Sequence, residues 1–341
     1  MLTPQAFLDG TRGPDRRSSS LSSGRAELPE RRLGEQAAQV VAEALTPVLA
    51  RLLPHPSPDH ARMCTVLRYS TSGGLLGTRC DVRVRRVPGG WLADGRADHV
   101  LGLPHADTVL MEALGGKGET LLVLLPTDAP GLARTEHQPS PLPGASFGSA
   151  RLDSVSVPDT AALHPSPTDL HTLYEAIATT RLRLARLATD LAADAVATAI
   201  DHVARRPFGG AHLVDKQVVR HALVEATAQV RMCDAYLRRV DAPPRTTSAR
   251  QRPWTAGERA VPPACSFHDA ATRAAAYVAV TAPQAVEASC QLHGGYGFLE
   301  EKWIARAYQD SVFIPVLLGG LDHLDRATGL PFPVAVETVA E

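Results

Sequence analysis

From about residue 168 to 206 the chain carries an unbroken Ala/Leu-rich pattern with apolar residues at helical spacing. A helix of that length presents a long apolar stripe that other helices must cover. A second helical pattern from about 213 to 240 supplies such a cover, and long, nearly uncapped helices of this kind pack as a bundle. Further helices are expected over Asp269 to Val280, Pro283 to His293 and the apolar stretch Val312 to Leu318. The segment from Asp241 to Ala264 holds Pro243, Pro244, Pro253, Pro262 and Pro263 and is read as an exposed loop.

Ahead of the bundle the texture differs. Between about Thr65 and Pro158, short runs such as Asp81 to Val87, Thr108 to Met111 and Thr120 to Leu125 alternate with Gly and Pro turns. This predicts an antiparallel β domain. Further upstream, Ala38, Val41, Ala42, Leu45, Val48, Leu49 and Leu52 recur at helical spacing between Gly34 and Leu53, and Pro54 stops the pattern. Residues 1–34, with a serine run and no apolar core, read as a tail without a secretion signal. The expected organisation is α+β: tail 1–34, short helical head 35–64, β domain 65–166 and a C-terminal four-helix bundle 167–341.

At 341 residues the chain exceeds what one core usually supports, so more than one packed unit is expected. A formal net charge of -1 gives no global field for nucleic acid or an anionic bilayer. Nucleic-acid and membrane partners are therefore not expected, and no apolar run is long enough to span a bilayer. The five cysteines are an odd number without a CxxC pair, which suggests neither a disulfide frame nor a metal site. A reducing, cytoplasmic setting is expected.

Three segments carry a resemblance to a known family. The strongest is Gln291-Leu292-His293-Gly294-Gly295-Tyr296-Gly297-Phe298-Leu299-Glu300-Glu301, with Tyr308-Gln309-Asp310 behind it. Another is Arg205-Arg206-Pro207-Phe208-Gly209, followed by Gln217 and Leu223. The last is Arg151 to Pro158, with Ala106-Asp107 ahead of it. In this order they resemble the acyl-CoA dehydrogenase family, in which a helical domain, a β domain and a four-helix domain enclose FAD. The resemblance covers roughly residues 65 to 320.

The resemblance implies that Arg205, Phe208, Gln217, Gln291, Gly294 and Gly295 hold the adenine-diphosphate half of FAD, across a subunit interface and on the neighbour's cofactor. The chemistry suits the residue types: a planar guanidinium grips a diphosphate by paired, charge-assisted hydrogen bonds. Glycines at a turn into a helix free backbone N–H groups for an anion. Singly, each is an ordinary surface ion-pair arginine, solvated glutamine or C-cap glycine. Their joint order points to the cofactor, although the gap from Phe208 to Gln217 is one residue longer than the family pattern.

The departures are as informative. The family's base is a glutamate in a Glu-Gly pair, and that place reads Leu317-Leu318-Gly319-Gly320. Some members place the glutamate instead on the first long bundle helix, where this chain has Thr179 and Thr180, with Glu175 a turn earlier. The flavin-ring segments read Tyr69 to Leu76 and Gly95 to Leu101, with His99 and Leu101 where the family has a ring-contacting Trp and a hydroxyl. The helical stretch before Pro54 is shorter than the family's acyl-pocket domain. No catalytic residue is assigned. The resemblance implies an acyl-CoA dehydrogenase-like flavoprotein subunit, the base-lacking partner in a hetero-oligomeric acyl-CoA or acyl-carrier-protein α,β-dehydrogenase of fatty acid or polyketide metabolism. FAD would be shared across the interface, and a full-length relative would supply the glutamate. The alternatives are a self-sufficient flavin-dependent oxidoreductase or oxygenase, assisted by Tyr296, His293 or His99, and a non-catalytic scaffold. Arg181, Arg183 and Arg186 are read as a solvated helix face, though in the resemblance Arg181 falls near a position that helps hold the CoA thioester arm.

Overall fold

The structure is a computed structural model that describes residues 36–37, 40, 63–66, 80–116, 120–137, 147–164, 166–241 and 267–318. The expected tail, most of the helical head, the Tyr69 to Leu76 segment, the proline-rich loop, the Gly319-Gly320 pair and the side chain of His99 lie outside these residues. Of the head, Gln36, Ala37 and Val40 are helical, and Ala37 is fully buried in the core of the helices.

Eight strands form one sheet: β1 (Met63–Val66), β2 (Cys80–Val87), β3 (Gly90–Leu101), β4 (Thr108–Gly115), β5 (Thr120–Pro126), β6 (Leu132–His137), β7 (Phe147–Pro158) and β8 (Ala162–Leu163). Their order is β6-β7-β3-β2-β4-β5-β8, with β1 also on β4. Pairing is antiparallel except at β4, which takes β1 in parallel along Thr108 to Met111 and β2 in parallel at Leu114 and Gly115. Neither partner is joined to β4 by a hairpin, so the chain arrives in the same direction.

The stretches 109–111 of β4 and 121–125 of β5 are apolar at every position because both faces of the sheet are covered. Val109, Met111 and Ala113 of β4, with Leu121, Val123 and Leu125 of β5, fill the core of the sheet itself. Leu110 and Leu122 point the other way and join the core of the helices, together with Leu101 of β3 and Phe147 of β7, which are register partners. Two-residue periodicity thus welds the sheet to the bundle.

The helices are α1 (Pro167–Arg205), α2 (Gln217–Asp241), α3 (Phe267–Leu292), α4 (Trp303–Val312) and the short α5 (Ile314–Leu317). Ala185, Ala188, Ala192, Ala195 and Ala199 of α1 and Ala271, Ala274, Ala275, Ala279, Ala282 and Ala285 of α3 are all buried in one core. Small side chains at helical spacing let these helices approach closely. The two helices expected on either side of Pro283 are one, since α3 runs through that proline. The alanine seam continues from Ala279 and Ala282 to Ala285 and Val286, and this packing outweighs the missing backbone N–H. The expected helix over Val312 to Leu318 is instead the end of α4 and all of α5, divided at Phe313, whose ring packs edge-on against Phe147 at 5.5 Å.

Candidate functional site

At the end of α1 the Arg206 N–H still bonds back to the His202 carbonyl, at 3.1 Å, and Pro207 then stops the helical ladder. Pro207–Phe208 (β9) pairs with Ala211–His212 (β10) across Gly209 and Gly210, whose φ angles are 61° and 81°. Two successive left-handed residues make the tight hairpin turn that glycines adopt without strain. Phe208 is left 53% exposed, with the Lys216 ammonium 5.4 Å from its ring centre. The turn Leu213–Asp215 then leads into α2, which starts at Gln217.

The second half of the site follows α3. Gln291 is exposed on the last turn, Gly294 has φ 58°, and Gly294–Phe298 forms a 3-10 turn. Gly297 is there for space: a β-carbon on it would stand 2.6 Å from the Cys290 carbonyl oxygen. Gly295 is the opposite case, exposed and with nothing within 4 Å of where a β-carbon would stand. One glycine serves packing; the other leaves the backbone open.

The two halves are joined by a residue that the sequence reading passed over. Arg206 donates from Nη1 to the His293 carbonyl at 3.3 Å, and the same nitrogen lies 3.2 Å from where a β-carbon of Gly294 would be. Arg205 projects into solvent, 78% exposed, and pairs with Asp201 one turn back on α1. The structure therefore brings the hairpin bearing Phe208 to the Gly294 turn through Arg206, and leaves Arg205, Phe208, Gln217, Gln291 and Gly295 exposed. In the sequence, the Arg205-Arg206 pair is the signal for Arg206.

Beside this junction is a cavity of about 280 Å³ lined by Thr198, His202, His293, Tyr296, Lys302, Trp303 and Ile304. His202 and His293 stack at 4.5 Å with 24° between their planes, and Tyr296 meets His202 at 67°. His293 is buried, and its Nδ1 lies 2.8 Å from the Ser289 carbonyl, so that nitrogen carries the proton and donates it. Burial, followed by neighbouring His293 and Arg206, pushes His202 below its ordinary value, against the smaller upward pull of Asp201.

The other face is closed. Leu318 is 1% exposed and belongs to the core that also holds Leu101, Phe147 and Ile314. Thr180 is fully buried with its hydroxyl donated to the Ala176 carbonyl at 2.8 Å, and Thr179 donates to the Glu175 carbonyl at 2.9 Å. Glu175 is exposed. The arginines of α1 do not form one solvated face. Arg183 is exposed and Arg186 reaches Asp234 and Asp241, but Arg181 is fully buried with Nη1 3.1 Å from the Thr272 hydroxyl. Burial lowers Arg181 to about 10. Its neighbours Leu182, Leu184 and Ala185 are buried too, so the middle of α1 is enclosed nearly all round.

Residues 170–322 match the model of the acyl-CoA dehydrogenase C-terminal domain. The helical half of this chain is thus similar to the C-terminal domain of the acyl-CoA dehydrogenases. No curated protein matches the sequence. Among solved structures, an acyl-CoA dehydrogenase from Geobacillus kaustophilus is 17% identical, with TM-score 0.65 over 84% of this chain and 74% of its own. The steroid ACAD Tcur3481-Tcur3483 is 21% identical, with TM-score 0.63 over 87% and 78%. A glutaryl-CoA dehydrogenase from Mycobacterium smegmatis, in complex with FADH2, is 18% identical, with TM-score 0.62 over 78% and 64%. At such identities the likeness establishes the acyl-CoA dehydrogenase fold. Among the described residues no group of three His, Cys, Asp or Glu could hold a metal ion, and no helix is long and apolar enough to cross a membrane.

Proposed function

We propose that this chain is the base-lacking subunit of a hetero-oligomeric, FAD-dependent acyl-CoA or acyl-carrier-protein α,β-dehydrogenase, and that it lends the edge formed by Arg205, Phe208, Gln217, Gln291, Gly294 and Gly295 to a flavin held chiefly by its partner. FAD, when bound, supplies the acceptor for the hydride that leaves the β-carbon of the acyl group. The residues on this edge fit the diphosphate end: an exposed guanidinium at a helix end, an exposed aromatic ring, and a glycine whose backbone nothing covers. Those at the family's reactive face do not fit the ring end, because Leu101 and Leu318 are packed into the sheet-to-bundle core. No step of the reaction is assigned to them.

The observation that carries this reading is the burial of Leu318. Removal of the substrate α-proton needs a carboxylate whose pKa is raised by desolvation and which still reaches the substrate. Leu318 has no ionisable group and is 1% exposed. On this reading the proton is taken by a residue of another chain, which makes the pairing of an intact subunit with this one the simplest complete enzyme. The fold likeness to Tcur3481-Tcur3483, a steroid ACAD bearing two component names, is consistent with unlike chains on this scaffold.

The test is co-expression with a full-length acyl-CoA dehydrogenase-like relative, followed by flavin and chain quantification of the purified product. A mixed complex with less than one flavin per chain, reducible by an acyl thioester, is the expected result. A stable homodimer of this chain carrying one flavin per subunit, or dehydrogenation by the isolated chain, sinks the proposal. Absence of flavin from both the chain and the mixed complex sinks it too.

A further inference from the structure

The junction between α1 and the Gly294 turn holds a group of charges whose arrangement does not follow from packing alone. Two imidazoles, His202 and His293, lie face to face at 4.5 Å. His202 Nε2 is buried without a hydrogen-bond partner. Arg206 closes the group by donating to the His293 carbonyl. From α1 the surrounding charged groups are Asp201, Arg205 and Arg206, and Asp201 is already paired with Arg205. On α3, Glu287 acts on the Cys290 thiol. From the turn and the approach to α4 they are Tyr296 and Lys302. No carboxylate lines the cavity beside the two rings.

We propose that His202, His293 and Arg206 form a positioning cluster that holds the Gly294–Gly295 turn in its open shape only while His202 is neutral, so that acidification releases the turn. His293 is the residue immediately before Gly294, and its carbonyl is the acceptor for Arg206, so any displacement of its ring moves the glycine backbone. A proton on His202 sets a cation against the His293 ring and the permanent Arg206 guanidinium, at a ring whose Nε2 is cut off from water. With the rings stacked and one nitrogen already enclosed, the group relieves this by parting. Neutral His202 is the state the fold favours, so the hold is complete above about 6.5, the ordinary histidine value, and is lost as pH falls below it.

The cluster is a property of this chain. Its consequence for flavin rests on the function proposed above. The experiment therefore has two readouts. In the isolated full chain, histidine ring and Gly294 and Gly295 amide resonances are followed from pH 7.5 to 5.5, with His202 and His293 assigned from the variants His202→Phe and His293→Phe. The expected result is a His202 midpoint below 6.5 with both glycine amides moving along the same curve, and glycine amides that no longer move in His202→Phe, where a ring still stacks but cannot titrate. Ordinary titration of both rings with unmoved glycines, or unchanged glycine movement in His202→Phe, overturns the cluster. The parent titration decides this even if the Phe variants fail to fold, because Arg206→Lys, which keeps the charge but not the planar donor, should shift the glycine amides already at pH 7.5.

The second readout is flavin release from the mixed complex. Release should speed up by no more than about tenfold per pH unit below 6.5, the limit for uptake of one proton, and should lose this dependence in His202→Phe. Glycine amides that respond as expected while flavin release does not would keep the cluster and overturn the assignment of this turn as a flavin edge.

Discussion

Replacing Leu318 by glutamate restores the missing carboxylate at the family's position and tests whether that place is a vacant catalytic pocket or filled core. Leu318 is 1% exposed, so the substitution forfeits the burial of a leucine side chain, worth about 2 kcal/mol. A glutamate enclosed there avoids charge by keeping its proton. From an unfolded value of about 4.3, holding that proton at pH 7 costs up to about 3.7 kcal/mol, at about 1.4 kcal/mol per pH unit. The sum is a loss of up to about 6 kcal/mol at pH 7, a large part of the stability of an ordinary domain. The sign follows from the raised folded pKa: the unfolded glutamate releases its proton first, so the variant weakens as pH rises above about 4.3. Urea unfolding of parent and Leu318→Glu at pH 5 and pH 7 reads this directly, as a gap that widens by up to about 2.7 kcal/mol between the two. A variant as stable as the parent at pH 7, with a pH-independent gap, would refute the reasoning. It would mean that the carboxylate finds water or a cation, so that the place is open and not filled core. Acyl-thioester dehydrogenation by that variant alone would refute it more strongly.

The remaining expectations separate residues that hold the fold from those that serve the edge. Gly297→Ala forces a methyl to 2.6 Å from the Cys290 carbonyl and should destabilise the chain by about 1–3 kcal/mol in urea unfolding. Gly295→Ala meets nothing within 4 Å and should leave the unfolding midpoint close to the parent's, while lowering flavin retention in the mixed complex. Arg205→Ala removes only a surface pair with Asp201, worth about 0.3–0.5 kcal/mol, so its effect should likewise appear in flavin retention and not in the melt. Burial pushes the Cys233 thiol up to about 12, and iodoacetamide at pH 8 should label it only after unfolding, as read by mass spectrometry of native and denatured samples.

What the sequence made legible was periodicity and order. The short runs Thr108 to Met111 and Thr120 to Leu125, set off by Gly and Pro turns, marked two strands, and the unbroken pattern from about 168 to 206 marked α1. Pro283 misled because a proline's local cost is visible in the sequence while the alanine seam that offsets it is a property of α3 against α1. Arg181 misled for a related reason. Its charge and its spacing from Arg183 and Arg186 suggest solvent, yet Leu182, Leu184 and Ala185 show the middle of the helix to be enclosed, and an arginine there is carried inward with them. At the site, glycine spacing located the Gly294 turn, but one-dimensional spacing could not distinguish Arg205 from Arg206. Only the direction of the two side chains at the end of α1 separates the one in solvent from the one that joins the hairpin to the turn.

That separation bears on how a subunit of the kind proposed above would lose one task and keep another. Leu101 and Leu318 sit where sheet and bundle meet, and each apolar replacement there adds to a core both units already need. Loss of a buried base is therefore compatible with, and even favoured by, stability, because a desolvated carboxylate is costly to maintain. The Gly294 turn faces a different balance. Gly295 contributes no packing, Phe208 remains 53% exposed, and Arg205 contributes little to the fold. Stability alone would favour a β-carbon in place of the first and a polar side chain in place of the second. Under the function proposed above, a ligand or partner that covers them accounts for their presence together on one exposed edge, whereas the closed face at Leu101 and Leu318 is explained by the fold itself.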